Sequence, residues 1–433
     1  MKVVYILPGT GDTFYCQNCM RDANLVRAMR ALGHDGIVMP LYLPLSMDLP
    51  ADGGVTPVYY GAVNCYLEQA APWFRNAPRW LRKALDARRV LDWAARRSGT
   101  TEASDLAGMT ISVLRGEDGR QAGELEALVG GLRSMGVPDV VHLANALLLG
   151  LAPRIRALGC RVVCSLQDEL PWILEMPAHE VEVIRGLMRE KAAAVDAFIA
   201  VSDDYAGRIR DWLGLPAERV HTVHLGVDPD AYPCASPGKG APVIGYLSRM
   251  SESMGLGLLV DAFAALKDEP AFAELRLHAC GGALPEDRAF LGALGDTVQR
   301  KGLSDRVRLD TRFDRAALPA FLESLSVLCV PAPEGGAFGL YLLEAMASGV
   351  PVVQPRVGAG AEIVETAGGG VVYDPDGPDA LASALRGLLL DPGERERLGA
   401  RGRKAVRERF TMEQMAVRTV GVYERVVRQA GVS

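Results

Sequence analysis

"PAPEGGAFGLYLLEAMASGVPVV", residues 331–353, opens as a loop broken by Pro331 and Pro333, continues as a helix-like segment and closes on a short β-branched run. A strand-like "VLCV" stands just before it, so the local order is strand, turn, helix, strand. With a glycine-rich turn, that order is the unit from which parallel sheets covered by helices are built. The helix should begin near Phe338, which puts the main-chain N–H groups of Phe338, Gly339 and Leu340 at its start. Their unpaired donors and the helix dipole favour a phosphate there. Glu344 follows inside the helix. On a 100° projection it shares a face with Leu340, Tyr341 and Ser348, while Leu343 and Met346 face the sheet. Such a carboxylate can accept hydrogen bonds from two adjacent hydroxyls, as on a ribose; it reads equally as a surface acid in an ion pair.

The same alternation extends in both directions. Upstream, the strand candidates are "VVYIL", "DGIVMPLY", "DVVHLA", "RVVCSL", "AFIAVS" and "RVHTVHL"; from residue 242 onward they are "PVIGYLS", "ELRLHAC", "RVRLDTRF", "VLCVPAP", "PVVQP" and "GGGVVYD". In "ANLVRAMRALG", Leu25, Met29 and Leu32 fall on one helical face and Gly33 supplies the stop. Two doubly wound parallel sheets are therefore expected, with "AYPCASPGKGAP" at 231–242 as the linker between them. Ligands of open α/β sheets bind outside the carboxyl ends of the strands, so two facing sheets would enclose a cleft.

Composition agrees with an enzyme of two domains. The chain has 433 residues, 49% hydrophobic and 23% charged, with a formal net charge of −6, which is not a nucleic-acid footprint. "VVYIL" is too short for a signal peptide and runs straight into Pro-Gly, and a cytoplasmic location is expected. The eight cysteines are scattered, several in strand-like runs, and read as reduced. Residues 71–99 interrupt the pattern with eight basic residues and three tryptophans. They read as an amphipathic helical insertion with Trp80 and Trp93 inward, or as a surface for peripheral membrane contact or an anionic acceptor.

The 334–353 stretch, with "VGAGAEIVE", "GGGVVYDPDGPDALASAL", "FIAVSDDYAGRIRDWLGLPAERVHTVHLGVD" and "PVIGYLSRMSESMGLGLLVDAFAAL", resembles the retaining nucleotide-sugar glycosyltransferases of family 4, with some likeness to bacterial glycogen synthases. The resemblance covers nearly the whole chain. It implies the GT-B fold: an acceptor domain at 1–232, a nucleotide-sugar donor domain at 233–433, both Rossmann-like, and a final helix at 413–433 crossing back. It further implies a metal-independent, retaining hexosyltransferase without a cofactor, acting in carbohydrate biosynthesis. Its substrates would be a nucleoside diphosphate sugar and a glycan, lipid or small-molecule acceptor. By the same resemblance Glu344 grips the ribose hydroxyls, Arg249 holds the diphosphate beside the Phe338, Gly339 and Leu340 amides, and Gly9 and Gly11 in "PGTGDTF" lie near the acceptor and the reacting sugar.

The chain departs from that pattern at three places. Gly336 stands where a first glutamate is expected, eight positions before Glu344, and the nearest acid is Glu334, which a local bulge would bring to the sugar. Met254 replaces a lysine expected five residues after Arg249. Gln167, beside Asp168, replaces a histidine near the anomeric centre and cannot move a proton at neutral pH. Glu334, Asp168, Gln167 and His142 are the candidate catalytic contacts; His142, near a strand end, reads equally as a buried, hydrogen-bonded residue. Cys16 and Cys19 have CxxC spacing but lack the other ligands of a zinc site, and no essential metal is expected; packing against the acceptor pocket, a redox role or a metal role remains for them. Alternatives on the same fold are a nucleotide-sugar epimerase or hydrolase, and a catalytically silent binding protein.

Overall fold

The computed structural model describes residues 1–8, 17–42, 103–234, 241–375 and 379–430. Gly9, Gly11, Cys16 and the insertion at 71–99 lie outside the described residues, as does the side chain of Cys19. Among the described residues, twelve strands form two all-parallel sheets of six. In the first, β1 (Lys2–Leu7), β2 (Asp35–Pro40), β3 (Val140–Leu143), β4 (Arg161–Leu166), β5 (Ala197–Ala200) and β6 (Val220–Thr222) run in the order β2-β1-β3-β4-β5-β6. In the second, β7 (Val243–Leu247), β8 (Arg276–Cys280), β9 (Val307–Asp310), β10 (Val327–Cys329), β11 (Val352–Pro355) and β12 (Gly370–Tyr373) run β12-β11-β10-β7-β8-β9. Eleven of these strands lie within runs read from the sequence, and β1 begins one residue before its run, at Lys2.

Burial explains why these runs are continuous rather than alternating. Every residue of β3, β5, β10 and β11 is buried, so both faces of each sheet are covered, whereas the edge strands β6 and β12 are only half-buried. The chain divides into two compact units. Among the described residues, 1–8, 18–42, 103–223 and 415–430 form the first; Gln17 and residues 224–234, 241–375 and 379–414 form the second. The division thus falls at Val223, ahead of the residue-232 boundary expected from the linker. The last helix, Met412–Ala430, belongs from Met415 onward to the first unit, where Ala416 and Tyr423 are fully buried. One core assignment needs correction. The helix Gln17–Ala31 buries Leu25 and Met29, but it ends before Leu32, which is exposed.

In each sheet the strand order reverses direction at one point, between β1 and β3 in the first and between β7 and β10 in the second. The crevice outside the carboxyl ends at such a point is where open α/β sheets take their ligands.

Candidate functional site

In the second unit the loops leaving β7, β8, β10 and β11 touch one another around the reversal point. Gly255, in the turn after β7, has φ +74, and a Cβ there would meet the Pro331 carbonyl oxygen at 2.1 Å. Only glycine lets the loop after β7 close onto the loop after β10. Gly335, with φ +65, is close against Gly358, whose N a Cβ would meet at 2.7 Å, and the Ala359 N–H donates to the Gly336 oxygen at 3.0 Å, which ties in the loop after β11.

The helix Leu340–Ala347 starts from this rim. Gly339 is its N-cap residue and has no side chain with which to cap it, so the main-chain N–H groups of the first turn stand at this rim. All eight residues of the helix are buried, so the face that Glu344 shares with Leu340 and Tyr341 is covered as well as the face against the sheet. Glu344 is 0% exposed, and the Tyr232 hydroxyl donates to its Oε1 at 2.8 Å. The surface ion-pair reading of Glu344 is therefore excluded. Burial first, and then the neighbouring Glu344 charge, push the Tyr232 pKa up, so the phenol stays a donor throughout the physiological range.

Arg249 stands two residues beyond β7. Its Nε donates to Asp287 Oδ2 at 2.9 Å, and its Nη2 donates to Asp287 Oδ1 at 2.8 Å and to Glu286 Oε1 at 2.6 Å. Burial opposes its charge, but the hydrogen bonds and attraction of Asp287 and then Glu286 outweigh this and raise its pKa. The Tyr246 hydroxyl fixes the loop by donating to the Arg249 carbonyl oxygen at 2.7 Å. Met254 is half-buried in the turn that follows. Glu334 is exposed on the turn closed by the Gly335 N–H to the Ala332 oxygen, at 3.1 Å. A Cβ on Gly336 would meet nothing within 4 Å, so the position has room for the side chain it lacks.

The first unit places its candidates differently. His142 is 0% exposed, with Nε2 2.7 Å from Ser165 Oγ, Nδ1 against the Tyr423 hydroxyl, and its ring tilted against that of Tyr5, the centroids 4.4 Å apart. It is the buried, hydrogen-bonded histidine of the two readings, not a contact for a reacting group. Burial, then Arg21, holds its pKa well below the usual value, so it is neutral in the fold. An unfolded histidine titrates near about 6.5 and takes up a proton that the fold refuses. The stabilisation from His142 is therefore complete above that pH and is lost as pH falls below it. The melting-temperature gap between wild type and His142→Gln is expected to narrow from about pH 7.5 to about pH 5. A constant gap would show that the imidazole does not stay neutral.

Gln167 is also sealed, at 3% exposed. Its side-chain amide donates to Asp22 Oδ1 at 3.1 Å and to the Ala144 oxygen. The same Asp22 oxygen accepts from Tyr5 at 2.8 Å and from the buried Arg21 at 3.0 Å. Gln167 is thus a tie in a buried polar network rather than a group offered to substrate. Glu169 braces the adjoining turn, accepting from the Ala146 and Gln167 amides, each at 2.8 Å, and from the Tyr205 hydroxyl. Asp168 alone of this loop is exposed. Its φ of +81 is the one left-handed value at a non-glycine among the described residues, the kind of strain that collects at functional sites.

Sequence reading missed Tyr232, Glu286, Asp287 and the Tyr5–Arg21–Asp22 cluster. For Glu286 and Asp287 a signal existed: they follow the "CGG" turn at the carboxyl end of β8, where ligand-facing loops lie. Tyr232 carried none, because its partner Glu344 lies 112 residues away; Arg21 and Asp22 are adjacent, but nothing local showed that the pair is buried against Tyr5.

Two family models match the chain, "Glycosyl transferases group 1" over residues 235–405 and "Glycosyltransferase Family 4" over residues 119–231. Among curated proteins, a D-inositol 3-phosphate glycosyltransferase from Xylanimonas cellulosilytica is 30% identical over 252 residues, 55% of this chain and 58% of that one. An MMP alpha-(1->4)-mannosyltransferase from Mycolicibacterium hassiacum is 30% identical over 242 residues, 56% and 57% of the two chains. The chain thus spans little more than half the length of these relatives. Among solved structures, sucrose-phosphate synthase from Thermosynechococcus elongatus superposes with a TM-score of 0.71 at 19% identity, covering 99% of this chain and 100% of that one. Anabaena HepE in complex with UDP gives 0.69 at 18%, covering 98% and 100%. These likenesses establish the fold as GT-B, with two Rossmann-like units.

Proposed function

We propose that this chain, which belongs to the glycosyl transferases group 1 family, moves a sugar from a nucleoside diphosphate donor to an acceptor with retention of configuration. The observation that carries the reading is that Arg249, the helix start at Gly339–Leu340 and the buried Glu344 inside that helix all follow the two strands that flank one reversal point in the second unit. The arginine and the main-chain amides take the diphosphate oxygens, and Glu344 takes the ribose hydroxyls. In the transfer, the bond from the anomeric carbon to the diphosphate breaks and the acceptor oxygen bonds to the same face. The acceptor proton leaves with the diphosphate. Charge grows on the diphosphate as that bond breaks, so the fixed donors around it supply the main stabilisation. In the first unit we assign a substrate contact to Asp168, which is exposed and has a left-handed backbone.

The acceptor is a glycan, a lipid or a small molecule. Among the described residues no helix is long and apolar enough to cross a membrane. Product formation from labelled nucleotide sugars and an acceptor panel tests the reading, with the anomeric configuration read by proton coupling. Inverted product, or donor consumed at the same rate without acceptor, would overturn it; the second outcome belongs to an epimerase or hydrolase. Met254 and Gly336 favour a further reading, a catalytically silent binder, for which no donor is consumed at all. Because Arg249 and main-chain amides take the diphosphate in this reading, excess EDTA should leave the transfer rate unchanged. A rate lost with EDTA and restored by a divalent cation would require a metal at the diphosphate.

A further inference from the structure

The two acids that hold Arg249 are unlike. Asp287 has a side chain only 5% exposed, grips the guanidinium with both oxygens, and is anchored by the Leu284 N–H, which donates to its Oδ2 at 2.8 Å. Glu286 reaches Arg249 with one oxygen, and its side chain is 42% exposed. One arginine between two carboxylates leaves a net negative cluster at the place where a diphosphate, itself negative, is to bind. Adding the ligand without releasing an acid would set like charges side by side. The acids differ in what release costs. An exposed, single-oxygen ion pair is held weakly and yields readily to a competing anion. A buried carboxylate stripped of its partner is left desolvated, so Asp287 stays. A two-toothed bond also fixes the plane of the guanidinium, which a single contact does not.

We propose that Asp287 is a positioning residue that presents Arg249 to the donor diphosphate, and that Glu286 is the partner the diphosphate displaces. This rests on the donor site proposed above. Bound in that way, Arg249 keeps Nε and one Nη2 proton on Asp287 and turns its remaining donors to phosphate oxygens.

Calorimetry with inorganic pyrophosphate, UDP, GDP and ADP tests the inference on the full chain. Glu286→Gln, which removes the competing charge from a surface position, should bind the preferred anion several-fold more tightly. Asp287→Asn should bind it about tenfold more weakly, the scale of one charge-assisted hydrogen bond. In an Arg249→Met background Asp287→Asn should cost nothing further, which a general loss of loop structure would not reproduce. Binding that Glu286→Gln leaves unchanged or weakens overturns the inference, as does an Asp287→Asn effect that persists without Arg249. If Asp287→Asn fails to fold, Glu286→Gln still decides. A wild-type protein that binds none of the four anions overturns the donor site itself. Wild-type binding that Arg249→Met weakens, without the gain in Glu286→Gln, overturns this inference alone.

Discussion

Glu344→Ala is expected to remove measurable binding of the nucleotide sugar. Two ribose hydroxyls donating to a buried carboxylate are worth about 1.5–3 kcal/mol each, so their joint loss lowers affinity by about a thousandfold. The low exposure of the site strengthens the effect, since water cannot readily replace the lost acceptor. Glu344 also accepts the Tyr232 hydroxyl and sits in a helix buried all round, so alanine will cost stability as well. Glu344→Gln separates the two losses. It keeps the shape and can still accept from Tyr232, but it has no charge and only one acceptor oxygen. It should fold with nearly wild-type stability and bind the donor at least tenfold more weakly. Calorimetry that finds the wild-type affinity in Glu344→Gln would remove the carboxylate from the ribose site.

The second large effect is expected at Arg249. With Met254 in the following turn, no second cation from this loop faces the diphosphate. Arg249→Met should therefore lower kcat by about a hundredfold to a thousandfold, the usual cost of one fixed donor at a position where charge develops. Arg249→Lys should recover only part of this. A lysine keeps the charge but cannot hold both Asp287 oxygens in a fixed plane. Steady-state kinetics with a saturating acceptor gives the split between kcat and KM. A full rescue by lysine would mean that the charge acts alone and the geometry of the fork does not matter.

Much of the fold was legible because its signals are local. Runs such as "VVYIL" and "RVVCSL" are β-branched and continuous since both faces of each sheet are covered, and the turns between them carry glycines whose backbone angles demand them. The helix start was readable to within two residues for the same reason: it was expected near Phe338 and falls at Leu340. Leu32 was misread because a helical period, once begun, does not say where it ends. What one sequence hides is the distant pairing that decides a side chain's environment. Glu344 could be placed on its helix but not known to be buried, since its donor Tyr232 lies 112 residues away. His142 fitted two readings until Tyr423, 281 residues on, was found to close it in. Gln167, judged by what its amide cannot do in catalysis, is held by an aspartate 145 residues earlier. Arg249 was identified as a cation, while the acids that aim it lie 37 and 38 residues downstream in another loop.

The central claim is that the loops at the β7–β10 reversal point hold a nucleoside diphosphate. A crystal structure of the chain with the tightest-binding of UDP, GDP and ADP tests this most directly. The account predicts diphosphate oxygens within hydrogen-bond reach of Arg249 and of the Phe338–Leu340 amides, with ribose hydroxyls on Glu344 and Glu286 turned away. A nucleotide bound elsewhere, with Glu344 still closed by Tyr232 and Arg249 still held by both acids, would contradict it.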